Sequence, residues 1–367
     1  MDRMFATRFC EVFSVKLPIV QAGMAGGITS PELVAAVSEA GGLGTLAGAY
    51  VKPDALRQSI REVKQLTKKP FGVNLLLFEE TVPSEVSGDL VDWLNKMRDE
   101  VGLSPWNGEL PQSKEDLDEC FAVIVEEQVP VFSCAFQSPG KYGRAAKQAG
   151  MKLIGMATTL EEARMLQAEN VDAIVAQGGE AGGHRGTFQP GNEGDGACIG
   201  TMPLVSLVAD SLPDMPIIAA GGIMDGRGLL AALSLGADAA QLGTRFLVCR
   251  ESLAHPAYQE MLLHAKETDT RVTRAFSGRP ARGLNNRLIE SAQMEKLQAL
   301  PYPVQNALTR EIRAAAARLN KPEYMSLWAG QGVAMLRQTQ GAAEIINDIM
   351  DQANAAWERM IQLRRGR

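Results

Sequence analysis

His184 stands in a segment that holds five glycines in nine residues: Gly178, Gly179, Gly182, Gly183 and Gly186. An imidazole has a reference pKa of about 6.5 and so exchanges protons under ordinary conditions. Glycine backbone exposes N–H groups and admits a flat or anionic ligand at close range. Together these describe a ligand-binding loop carrying one acid–base residue. A plain glycine turn whose histidine is solvated or satisfied locally has the same composition, so the rest of the pattern must decide between them.

Other stretches repeat the arrangement, with glycine or an amide in or just after a short apolar run. Gly23 and Met24 follow the first such run, Asn74 lies in the third, and Gln177 follows the sixth. Gly221 and Gly222 follow the seventh, and Gln241, Leu242, Gly243 and Thr244 end the eighth. Glycine turns after the last two strands of an α/β barrel are a usual phosphate site, to which Thr244 adds a hydroxyl. A buried amide costs free energy unless its donors and acceptors are matched. Asn74 and Gln177 therefore either read the edge of a heterocycle, such as a flavin ring, or satisfy each other's surroundings within the barrel rim. Gly42, Gly44 and Gly48 precede or flank a strand without the spacing of a dinucleotide fingerprint. His255 and His264, nine residues apart, have neither the spacing nor the company of metal ligands and read as surface or interhelix residues; no metal site is expected.

What must position these groups is a repeated strand–helix unit. Apolar runs at residues 17–21, 43–47, 71–77, 129–135, 152–156, 171–175, 216–220 and 239–242 read as strands buried on both faces, because they lack polar alternation. Between them lie helix signals: Ser30 as N-cap with Pro31 behind it, a helix over 54–68, a start at Ser113 with Asp116 three residues later, and Thr159 with Glu162 as a capping box. Eight such units predict a TIM (β/α)8 barrel, with a doubly wound open sheet as the alternative. In a barrel every candidate group lies on one rim, where strands end. Residues 78–112 form a long insertion after the third strand, rich in Pro, Ser, Gly and charge, and its place suggests a lid. The barrel is expected over 1–265. Residues 266–367 read as a C-terminal helical extension without strands, with helices over 306–319 and 342–363.

The bulk composition narrows the partners. The 367 residues are 46% hydrophobic and 22% charged, which suits a globular enzyme with a large core. A net charge of −6 speaks against general attraction to nucleic acid or an anionic membrane. Cys10, Cys120, Cys134, Cys198 and Cys249 are odd in number and contain no C-x-x-C pair, so they read as reduced thiols. No apolar stretch is long enough for a membrane span or a signal peptide, and the expected location is the cytoplasm.

Residues 21–27, 71–74, 177–186, 219–223 and 241–246, taken in order, resemble the nitronate monooxygenase family, also called 2-nitropropane dioxygenases. Flavin-dependent enoyl-acyl-carrier-protein reductases are its relatives. Residues 275–283 and 327–332 are also similar to the monooxygenase branch, and the resemblance spans roughly residues 15–335. It implies a TIM barrel holding FMN non-covalently at Gly23, Met24, Asn74, Gln177, Gly182, Gly221, Gly222, Gln241, Leu242, Gly243 and Thr244. It also implies O2-dependent oxidation of a nitronate or nitroalkane to a carbonyl compound and nitrite. His184 matches the family's active-site histidine, as base or as the group that orients the substrate, and Tyr302 is a candidate on the substrate side. Gly23 stands where the monooxygenases usually have Pro and is more typical of the enoyl reductases, whereas Arg185 and Tyr302-Pro303 favour the monooxygenases. An NAD(P)H-dependent flavin reductase acting on an enoyl thioester or quinone is the alternative.

Overall fold

A computed structural model describes residues 5–79, 85–110, 116–191 and 194–364. The apolar runs form β1 (Ile19–Gln21), β2 (Gly44–Ala47), β3 (Phe71–Leu76), β4 (Val131–Ala135), β5 (Lys152–Ala157) and β6 (Ala173–Gln177), then, past a two-residue β7 (Gly183–His184), β8 (Ile217–Ala220) and β9 (Ala239–Leu242). Eight of these pair in parallel in the order β1-β9-β8-β6-β5-β4-β3-β2. The ring is closed by Leu43, whose N–H donates to the Ile19 carbonyl at 2.9 Å while its own carbonyl accepts from Gln21 N–H at 3.0 Å. The architecture is the TIM barrel, not the open sheet.

Side chains of Val20, Leu43, Val131, Ile154, Val175 and Ile218 pack inside the barrel. Phe9 and Phe13, from an N-terminal helix at Arg8–Phe13, join this cluster with their rings 4.7 Å apart. A barrel filled in this way has no pore, so ligand space must lie at a rim.

The helix starts follow local chemistry. Ser30 Oγ accepts the Leu33 N–H at 2.9 Å ahead of Pro31. Asp116, expected three residues inside its helix, is itself the N-cap of Leu117–Glu126 and accepts the Glu119 N–H at 2.8 Å, so this helix starts later than the sequence suggests; Ser113 lies outside the described residues. Thr159 caps Glu162, but the reciprocal half of the expected box does not form. The Glu162 carboxylate instead accepts from Thr158 N–H at 2.6 Å, Thr158 Oγ at 2.8 Å and Phe188 N–H at 2.8 Å, tying the helix to the loop beyond β6. A buried carboxylate is stabilised more by three converging donors than by a single cap contact.

Two further features depart from the sequence reading. The C-terminal part is not free of strands: β10 (Thr270–Thr273) and β11 (Ala281–Leu284) pair antiparallel, and β11 in turn pairs with β7, Ala281 opposite His184. Four-residue strands containing Gly and Arg carry no legible period, and here their partners are distant in sequence. The helix Gly88–Glu100 of the insertion buries Leu90, Trp93, Leu94 and Met97 in one cluster with Leu288, Leu308 and Ile312 of the C-terminal helices. The ion pairs Lys96–Glu295 and Arg98–Glu311, both 2.7 Å, flank this contact. Exposed pairs contribute little; burying four large side chains is what fixes the insertion on the extension.

Among the described residues no helix is long and apolar enough to cross a membrane, and no cluster of three His, Cys, Asp or Glu is placed to hold a metal ion. All five cysteines are free, with only Cys198 exposed.

Candidate active site

A cavity of about 510 Å3 opens at the carboxyl ends of the barrel strands, within the usual range of roughly 300–1,000 Å3 for small-molecule sites. Gly23, Met24, Asn74, Gln177, Gly182, His184, Gly221, Gly222, Gln241, Gly243 and Thr244 all line it. Leu242 does not: its side chain is buried in the shell between barrel and helices. Tyr302 stands behind the cavity wall with its ring 6.4 Å from that of His184 and 5.5 Å from that of Phe136.

One end of the cavity is built from backbone. Gly221 and Gly222 have φ of +122° and +70°, conformations that a side chain would strain. The N–H groups of Gly222, Gly243 and Thr244 find no acceptor among the described residues. The other helix start nearby, at Thr201, is already filled: Glu180 accepts from Thr201 N–H at 2.8 Å and from its hydroxyl at 2.7 Å. At this end of the cavity an anion would therefore meet open donors beside Gly222 and Thr244 rather than at Thr201.

The two amides behave differently. Asn74 accepts from Ser133 Oγ at 2.8 Å and keeps its NH2 group free of any partner among the described residues, facing the cavity. Gln177 is the last residue of β6, not a loop residue. Its Nε2 donates to the His184 carbonyl at 2.9 Å and its Oε1 accepts from Gly186 N–H at 2.8 Å. Its amide is largely spent on holding the loop.

The glycines of that loop mostly serve close packing. A Cβ on Gly182 would lie 2.5 Å from the backbone nitrogen of Gly330, and one on Gly330 would lie 2.6 Å from the Glu180 carbonyl oxygen. Gln331 N–H donates to that same carbonyl at 2.9 Å, so the C-terminal segment lies backbone to backbone on the loop. Arg185, fully buried, donates to the carbonyls of Gly178 at 2.6 Å, Gln177 at 2.7 Å and Ala197 at 3.2 Å, and clamps the loop from beneath.

His184 is half-buried, its Nε2 2.8 Å from Ser277 Oγ. The rings of Trp328 and Phe136 lie 5.4 and 5.5 Å away. Burial pushes its pKa down to about 3, and the nearby guanidinium groups of Arg279 and Arg313 push the same way. The imidazole is thus neutral at pH 7. Ser277 Oγ also lies 3.2 Å from the Arg279 carbonyl. A Ser277 hydroxyl that donates to that carbonyl accepts Nε2–H of His184, the tautomer in which Nδ1 keeps its lone pair; a hydroxyl that donates to Nε2 leaves the proton on Nδ1.

The chain matches the family model described as nitronate monooxygenase over residues 7–352. It belongs to the nitronate monooxygenase family, whose members are oxidoreductases. It is 40% identical over 348 residues to a Bacillus subtilis (strain 168) protein named "Probable nitronate monooxygenase", covering 94% of this chain and 98% of that one. Among solved structures it is similar to the nitroalkane oxidase of Streptomyces ansochromogenes, with 38% identity, 96% and 100% coverage of the two chains and a TM-score of 0.87. FabK of Thermotoga maritima gives 34% identity, 98% and 100% coverage and a TM-score of 0.78.

For a member of this family, several cavity residues escaped the sequence reading. Tyr50, Phe136, Asn306, Arg313 and Trp328 also line the cavity, and Ser277 contacts His184 from behind. Asn306 and Arg313 sit in what reads as a solvated helix stripe; the spacing of Asn306, Arg310 and Arg313 was the available signal.

Proposed function

We propose that the chain is an FMN-dependent enzyme that oxidises alkyl nitronates with O2 to carbonyl compounds and nitrite. In overall balance, one O2 converts two nitronates to two carbonyl compounds and two nitrite ions. The observation that carries this reading is the neutral His184 in an aromatic wall beside two guanidinium groups. A general base works best with a pKa near the operating pH, and one held near 3 is poorly suited to removing a carbon-bound proton. A nitronate arrives already deprotonated, so what it needs from the protein is charge complementarity and orientation.

The cavity suits FMN. The N–H groups of Gly222, Gly243 and Thr244, without acceptors among the described residues, would hold the phosphate. The free NH2 group of Asn74 and the amide of Gln241 would meet the ring edge, and Gly23 packs close beneath them, since a Cβ there would lie 2.9 Å from the Leu46 carbonyl oxygen. Bound there, FMN supplies the acceptor for electrons leaving the nitronate and the route by which they reach O2. His184 positions the substrate through Nδ1 or through contact with its ring, while Trp328 and Phe136 reduce access of water to the reacting atoms.

The similarity to FabK and the residue Gly23 favour the reductase as second reading. One experiment separates the two. The purified protein is expected to be yellow and to release FMN on boiling; its anaerobic mixing with an alkyl nitronate alone should discharge the flavin colour, and with NADH or NADPH alone should not. Discharge by a nicotinamide only selects the reductase, and a protein that neither holds nor takes up FMN overturns the cofactor assignment.

A further inference from the structure

The helix Val304–Arg318 packs Leu308, Ile312, Ala315 and Ala316 into the hydrophobic cluster of the extension. Its residues 306, 310, 313 and 317, at helical spacing i, i+4, i+7 and i+11, face the cavity. The cavity wall opposite the barrel is thus a helix face carrying two arginines one turn apart, Arg310 exposed and Arg313 set inside.

Arg313 is held in one orientation by its own helix. Nη2 donates to the carbonyl and to the side-chain Oδ1 of Asn306, both at 2.8 Å, and Nε lies 3.4 Å from the Thr309 carbonyl. Nη1, with two N–H groups, has no partner among the described residues, and no carboxylate there forms an ion pair with this guanidinium. The charged groups that bear on it are Arg310 and the phenols of Tyr50 and Tyr302. Arg313 is half-buried, and a cation withdrawn from water without a counter-ion is costly. Arg279 offers a contrast: it is buried, and its guanidinium lies 4.0 Å above the Phe136 ring, donates to the Thr187 carbonyl and does not line the cavity. Of the two cations beside His184, only Arg313 can touch a ligand.

We propose that Arg313 forms an oxyanion subsite, its free Nη1 edge taking the negatively charged oxygens of a planar anionic substrate, with Arg310 drawing that anion to the mouth. The subsite rests on the nitronate reading for the identity of its occupant, though not for its charge preference. A guanidinium edge donates two parallel hydrogen bonds to a planar pair of oxygens, the geometry that a nitro or nitronate group presents. It also explains selectivity in a protein of net charge −6: a local cationic wall reverses the repulsion that an anion meets elsewhere on the surface.

Nitrate, a planar and unreactive oxyanion, is the probe. Its binding to the FMN-loaded protein is measured by calorimetry at constant ionic strength against chloride, for the wild type, Arg313→Gln, Arg313→Lys and Arg310→Gln. Arg313→Gln should weaken nitrate at least tenfold, Arg313→Lys by less than that, and Arg310→Gln should chiefly reduce the salt dependence of kcat/KM for a nitronate. With a nitronate, Arg313→Gln should raise KM more than it lowers kcat. A folded Arg313→Gln protein with nitrate affinity within twofold of wild type overturns the proposal. Should that variant not fold, the wild type alone decides, since affinity for neutral nitromethane equal to that for nitrate overturns it as well. Nitrate binding that depends on Arg313 in a protein that oxidises no nitronate keeps the subsite and refutes the nitronate reading instead.

Discussion

The depressed pKa of His184 makes the stability of the protein depend on pH in a way that one substitution should remove. In an unfolded chain the imidazole titrates near 6.5; in the folded protein burial, with Arg279 and Arg313, holds it near 3. Above about pH 6.5 both states are neutral and the group contributes nothing. As the pH falls below that value the unfolded state takes up a proton that the folded state refuses, so stability is lost at up to about 1.4 kcal/mol per pH unit. Between pH 7.5 and 4.5 the loss reaches roughly 2.7 kcal/mol, and solvent within the cavity reduces it toward about 2 kcal/mol. His184→Asn cannot protonate and should lack this slope. Urea unfolding followed by far-ultraviolet circular dichroism at pH 7.5, 6.0, 5.0 and 4.5 gives both curves. Carboxylates titrate alike in the two proteins and cancel in the difference. Expected is a gap that closes, or reverses in favour of His184→Asn, by about 2 kcal/mol from pH 7.5 to 4.5. Parallel curves, with the gap changing by less than about 0.5 kcal/mol, would show that the imidazole protonates freely and would remove the argument for a neutral substrate-orienting residue.

Three further outcomes are expected. Trp93→Ala should destabilise by about 3–5 kcal/mol, because the side chain is fully buried between the insertion and the extension, whereas Lys96→Ala should cost no more than about 1 kcal/mol; equal effects in urea would contradict the weighting of burial over ion pairs. Gly182→Ala should cost about 1–3 kcal/mol and reduce retention of FMN on gel filtration, since its Cβ would meet the Gly330 nitrogen at 2.5 Å; wild-type retention and stability would show that the loop and the C-terminal segment give way freely. Ser277→Ala frees the imidazole from its 2.8 Å partner and should lower kcat/KM for a nitronate about tenfold while FMN stays bound, with Ser277→Thr restoring most of it; an unaffected Ala variant would make the hydroxyl a bystander.

The eight barrel strands were legible because parallel strands covered on both faces leave uninterrupted apolar runs, and all eight fall within about two residues of where those runs stand. Ser30 and Thr159 marked helix starts because a cap is a local bond between neighbours in sequence. That a cavity opens at the strand ends followed from the barrel itself. What stayed hidden depends on partners far along the chain. β10 and β11 are too short to show a period, and Gln177 reads equally as a ligand amide or an internal one until Gly186 and the His184 carbonyl are seen to occupy it. Arg313 lies on a polar stripe indistinguishable from a solvated helix face until the cavity is found on that side. The spacing of glycines in the loop was legible, but its cause was not: Gly182 makes room for Gly330, which lies 148 positions later in the chain.

That dependence sets an order of events during synthesis. The last barrel strand is complete at Leu242, but the helix Ala342–Arg364 supplies Ala342, Ile345, Ile346, Ile349 and Ala353 to the core around the ring, so the shell is closed only by residues made a hundred positions later. When that strand is complete, His184 has neither the Ala281 strand beside it, nor Ser277, nor the rings of Tyr302 and Trp328, and the glycine loop has nothing lying on it. The nascent barrel is therefore a scaffold with an open rim. The wall of its cavity and the last part of its shell are both supplied by segments made after the eighth strand.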